Sequence, residues 1–154
     1  MALKSSGLLA AGIVIAFLGS FVFVASRHTL AVGDAARITI DEWDKTNGTM
    51  GLILSTATIK AGTVKFAVNN ASMMKIPHEI LIIANPKSLD DLSFDSSGAK
   101  LDEDKLMGRI EVGELAPGTV IAKDVSLKPG SYLLFCNQPG HFAAGMHQVL
   151  TVTQ

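Results

Sequence analysis

The chain has one cysteine among its 154 residues, which excludes an internal disulfide framework, because a bridge needs two thiols. Excess positive charge is missing too. Its 13 Lys and Arg against 14 Asp and Glu give a formal net charge of -1 with no basic cluster, so nucleic acid is not an expected partner. There is no internal repeat and no low-complexity tract. Beyond residue 26 no apolar stripe recurs at helical spacing, which leaves strands as the available secondary structure.

One long hydrophobic run is present. From Gly7 to Ala25 the sequence GLLAAGIVIAFLGSFVFVA carries no charge, and about 20 such residues in a helix cross a ~30 Å hydrocarbon layer. Lys4 before the run and Arg27 after it weakly favour a cytoplasmic start with the bulk of the chain outside. Two readings stay open, a retained transmembrane anchor and a cleaved signal ending at the small residues Val24-Ala25-Ser26. The run exceeds the roughly 7 to 15 residues usual for a signal. Residues 1–26 are therefore expected to be an anchor or signal segment, 27–36 a linker and 37–154 one domain. The expected location is the extracytoplasmic face of a membrane, periplasmic or at the cell surface, or secreted or periplasmic after cleavage. A lone cysteine in such an oxidising compartment calls for an intermolecular bridge, a reactive thiol or a metal bond.

Strand signals run from Arg37 to the end. The pattern predicts strands at Arg37 to Trp43, Met50 to Ile59, Thr63 to Asn69, His78 to Ala84, Gly108 to Val112, Thr119 to Leu127, Ser131 to Cys136 and His147 to Thr153. Lys60-Ala61-Gly62, Ala116-Pro117-Gly118 and Lys128-Pro129-Gly130 supply turns between them. Val64, Phe66 and Val68 alternate with Lys65, Ala67 and Asn69, as in a sheet with one face in a core. Tyr132-Leu133-Leu134-Phe135 is apolar without a break, which predicts a strand covered on both faces. The expected fold class is all-β, a Greek-key β-sandwich of two packed antiparallel sheets preceded by one N-terminal hydrophobic helix. Residues 85–107, rich in Asp and Ser, read as a solvated acidic loop with one helical turn near Asp102 to Leu106, with a calcium site or a docking face as the alternatives. The ligand spacing of an EF-hand is absent from it.

The chemistry concentrates near the C-terminus. In SYLLFCNQPGHFAAGMHQVLTV, Cys136, His141 and Met146 stand at intervals of five, and Pro139-Gly140 and Gly145 let the loop bend so that thiolate, imidazole and thioether converge. His78, at the head of HEILIIA, is the best placed fourth donor. Two histidines and one cysteine in a plane with a weak axial methionine form the blue copper ligand set. Copper ligation also explains the unpaired cysteine. Zinc stays chemically possible for two histidines and a cysteine, but a methionine argues against it.

The segments GSYLLFCNQPGHFAAGM, KAGTVKFAVNN and PHEILII resemble the cupredoxin family, and more closely small bacterial cupredoxin-domain proteins related to plastocyanin. The resemblance spans about Arg37 to Thr153. It implies one type 1 copper ion, no catalytic residues, and single-electron exchange with a protein donor and acceptor. It further implies that His141 is the electron exit, with Phe142, Ala143 and Ala144 as docking surface. Plastocyanin has two residues between its cysteine and histidine; Cys136 and His141 have four, as in the copper loop of multicopper oxidases. Those oxidases flank the cysteine with histidines, whereas Phe135 and Asn137 stand here, and a dinuclear copper site would need a second cysteine. Glu79 occupies the place of plastocyanin's asparagine after the first histidine ligand. Copper storage or delivery, and cysteine-based catalysis, are the competing functions. Met50, Met73, Met74 and Met107 read either as a copper entry patch or as packing and loop residues.

Overall fold

A computed structural model describes residues 36–154. The expected anchor or signal helix and nearly all of the linker lie outside the described residues. Among those described, no helix is long and apolar enough to cross a membrane. The strands are β1 (Ala36–Asp44), β2 (Met50–Leu54), β3 (Thr58–Lys60), β4 (Gly62–Asn70), β5 (His78–Ala84), β6 (Ile110–Leu115), β7 (Val120–Leu127), β8 (Gly130–Phe135) and β9 (His147–Thr153).

Period-two alternation decides which side chains meet. Ile38 and Ile40 of β1 and Val64, Phe66 and Val68 of β4 point inward and are fully buried. They face Ile80 and Ile82 of β5, Leu134 of β8, and Leu150 and Val152 of β9 across one shared core. Burying side chains of this size contributes about 1.5–3 kcal/mol each before chain entropy is offset.

The two sheets run in the orders β2-β1-β4-β7 and β3-β9-β8-β5-β6. Both are mixed, which corrects the expectation of antiparallel sheets: β1 pairs with β4, and β3 with β9, in parallel. The cause lies in the expected strand Met50 to Ile59, which breaks into β2 and β3. Ser55 Oγ accepts from Thr39 N at 3.0 Å, and Thr56 Oγ1 accepts from Thr58 N at 3.2 Å and donates to Thr58 O at 2.8 Å. Hydroxyls that bond nearby backbone compete with the ladder, and the chain changes sheets there. When it returns as β4 it has crossed over, so it lies parallel to β1. The strand expected to end at Val112 continues through a bulge at Val112 to Leu115.

β5 and β8 are apolar on both faces because each is covered twice. Leu81, Ile83, Leu133 and Phe135 point away from the main core and pack with Leu101, Leu106 and Phe142. Leu101 and Leu106 come from the acidic loop, which holds two 3-10 turns, Leu89–Asp91 and Glu103–Lys105, the second at the expected helical turn. Its carboxylates stay outside while its leucines roof the second face.

Candidate metal centre

At one end of the sandwich three donor side chains meet. His78 opens β5, Cys136 directly follows β8, and His141 lies in the loop from β8 to β9. His78 and Cys136 are fully buried and His141 is 9% exposed. That loop is a tight coil: Ala144 N donates to Gly140 O, Gly145 N to Phe142 O and Met146 N to His141 O, each at 3.0 Å. Gly140 (φ 82°) and Gly145 (φ 99°) occupy left-handed backbone that side chains disfavour, as the bend required. Cys136 N then donates to Met146 O at 3.0 Å, bringing the loop's two ends together.

His78 Nδ1 lies 3.1 Å from His141 Nδ1, and Cys136 Sγ lies 3.9 Å from the first and 3.3 Å from the second. The point equidistant from three atoms so spaced is about 2.0 Å from each, close to the ~2.0–2.3 Å of metal bonds to nitrogen and thiolate sulfur. His78 Nε2 is 3.1 Å from a carboxylate oxygen of Asp44, so it carries the proton and Nδ1 presents a lone pair. Nδ1 of His141 faces it. Two ring nitrogens and a sulfur aimed at one buried point repel unless a cation or a shared proton lies among them, so the donor set fits a metal ion.

Burial pushes the Cys136 thiol up to about 12, against the opposing effect of N–H groups of Gln138 and Glu79. Glu79 N donates to Sγ at 3.4 Å. Burial likewise holds both histidines below their ordinary value, Asp44 opposing this at each, while His78 adds to it at His141. The rings are neutral and ready as ligands near neutral pH; the thiol must give up a proton to become one. Met146 is fully buried and belongs to the same core cluster as Cys136.

Phe142 departs from the surface role expected of it. Its ring is 7% exposed and meets Phe135 edge-on at 5.6 Å, supporting the loop from beneath. Ala143, Ala144 and Gly145 remain exposed beside His141. Met73, Met74 and Met107 are exposed and Met50 is half-buried. The Trp43 indole lies over Gly51 of the edge strand β2.

Sequence reasoning missed several buried polar residues here. Asp44 binds His78; Asn70 and Ser72 brace the connection before His78; Asn137 ties the loop after Cys136 to the acidic loop. Glu42 is fully buried with neither carboxyl oxygen hydrogen-bonded, and Glu79 Oε1 is likewise unpaired. The available signal was the inward register of β1, in which Glu42 and Asp44 continue the series of Ile38 and Ile40.

A two-sheet sandwich with a buried His-Cys-His cluster at one end defines a mononuclear metal protein. The chain belongs to the plastocyanin/azurin family of copper-binding proteins, whose family model matches residues 26–153. The solved structures it resembles include the cupredoxins auracyanin and rusticyanin. Auracyanin B superposes with a TM-score of 0.57 at 19% identity, covering 78% of this chain and 91% of that one. Reduced auracyanin from the photosynthetic bacterium Roseiflexus castenholzii gives 0.50 at 23% identity, covering 75% and 97%. Rusticyanin from Thiobacillus ferrooxidans gives 0.56 at 15% identity, covering 79% of each chain. Among curated protein sequences, none matches. In this family a His-Cys-His cluster of this kind is typical of a single type 1 copper.

Proposed function

We propose that this protein carries single electrons outside the cytoplasm, holding one copper ion through His78, Cys136 and His141 with Met146 as weak axial ligand. The observation that carries the reading is the buried triangle of donor atoms with sides of 3.1, 3.3 and 3.9 Å. Copper in such a set supplies a one-electron couple with little rearrangement, because sulfur favours the reduced state and imidazole serves both. The chain's own part is to fix the donors in advance. β5 and β8 set His78 and Cys136 from neighbouring strands, and the glycine-bent loop returns His141 to them and closes with Met146 O accepting from Cys136 N. Of the four donors His141 alone reaches the surface, so electrons would pass to and from a protein partner over its edge, against exposed Ala143 and Ala144. Burial of the other donors favours retention of the ion, which supports electron transfer over copper storage or delivery. The apolar run Gly7 to Ala25 would hold the domain at the outer membrane face, or direct its export.

The test is optical and electrochemical on the purified full chain. Cu(II) should produce an intense visible thiolate charge-transfer band and a reversible one-electron wave, and copper should resist a strong chelator. Cys136→Ser should abolish the band, and Met146→Leu should shift the potential. No band in the parent protein contradicts the copper assignment; a potential and spectrum unmoved by Met146→Leu contradict the axial one.

A further inference from the structure

The connection from β4 to β5 is built around a single carboxylate. Asp44, the last residue of β1, is 1% exposed, and His78 Nε2 donates to its Oδ2 at 3.1 Å. Ser72 Oγ donates to the same oxygen at 2.5 Å, and Met74 N donates to Oδ1 at 2.8 Å. Ser72 is itself held: its N donates to Asn70 Oδ1 and its Oγ accepts from Ile76 N, both at 3.0 Å. Asn70 Nδ2 donates to Ile76 O and Leu115 O, also at 3.0 Å. Lys75, the one non-glycine residue with positive φ (63°) among the described residues, sits inside this connection, where the surrounding bonds impose it.

So many fixed bonds converging on one buried acid do more than close a turn. We propose that Asp44 is a positioning residue for the metal centre, whose negative charge and bond to His78 Nε2 fix the ring's tautomer and raise the donor strength of its Nδ1. A carboxylate behind a ligating histidine makes the imidazole a stronger base and orients it. Added negative charge favours the more highly charged ion, so Asp44 lowers the potential of the couple. The proposal rests on the copper reading above.

Two variants of the full chain test it. Asp44→Asn keeps the size of the side chain and removes its charge. It should weaken Cu(II) binding about tenfold or more while affecting Cu(I) less. A tenfold change in the ratio of the two affinities raises the potential by about 59 mV. Ser72→Ala leaves the charge and frees Oδ2 from a competing donor, so it should shift the potential the other way. In the copper-free parent protein, nitrogen NMR should find His78 protonated at Nε2. Equal loss of Cu(I) and Cu(II) affinity in Asp44→Asn, shifts of the same sign in both variants, or a His78 proton on Nδ1 would each overturn the role. A parent protein that binds no copper fails the underlying reading instead, and the NMR tautomer still decides on the Asp44–His78 bond.

Discussion

Asn137 and Leu101 exchange two hydrogen bonds across the metal end of the fold: Leu101 N donates to Asn137 Oδ1 at 2.7 Å, and Asn137 Nδ2 donates to Leu101 O at 3.1 Å. The same Nδ2 reaches Glu103 Oε1 at 3.1 Å, and Gly140 N donates to Ala99 O at 2.7 Å. The acidic loop is thus fastened to the residue after Cys136 and to the residue before His141. Asn137→Ala leaves buried backbone groups of Leu101 without partners and should cost about 2–4 kcal/mol. Urea denaturation checks this, and an unchanged midpoint would mean that the loop is held elsewhere.

Phe142 bears weight in the second apolar layer. With its ring buried against Phe135 and Leu101, Phe142→Ala should lose about 3 kcal/mol or more of stability. Ala143→Ser and Ala144→Ser, on the exposed side of the loop, should leave the thermal midpoint within about a degree or two, since surface changes are usually within ±0.5 kcal/mol. Melting curves of the three variants separate the roles.

The candidate ligands were legible because they are chemically rare and locally ordered. Cys136, His141 and Met146 share one loop, and His78 heads an unmistakable apolar strand. Asp44 and Glu42 were not legible, for a reason of register. The predicted strand ended at Trp43, and acids near a strand end read as solvated unless the inward alternation of Ile38 and Ile40 is carried two and four positions further. The mixed sheets escaped for a similar reason: Met50 to Ile59 has continuous β character, and only the hydroxyls of Ser55 and Thr56, bonded to backbone, divide it. The acidic loop showed its charges in the sequence, but its two roofing leucines have meaning only once β5 and β8 expose a second apolar face.

Glu42 should make stability depend on pH. Burial first, and the nearby Glu79 second, raise its carboxyl from 4.5 to about 8. Between those values the folded chain holds a proton that the unfolded chain has released. The group's contribution is therefore full below about 4.5, declines as pH rises through the window, and is gone above about 8. Glu42→Gln should flatten that part of the profile, measured as denaturation midpoints at pH 5 and pH 9. A parent profile with the same slope as the variant would contradict the buried, protonated state.

Copper loading should release a proton. Because burial lifts the empty-site thiol to about 12, Cys136 is protonated at neutral pH and must ionise to bind. Apparent affinity should rise about tenfold per pH unit from this one group, as follows from a single proton released on binding. Calorimetric titrations in buffers of different ionisation heat count the protons. A pH-independent affinity would show that the thiol is not a ligand.

The most direct measurement of the centre is X-ray absorption at the copper edge on the loaded full chain. One sulfur and two nitrogen scatterers are expected at about 2.0–2.3 Å, with the short sulfur lost in Cys136→Ser. A shell of nitrogen and oxygen alone in the parent protein, or a short sulfur that survives that substitution, would contradict it.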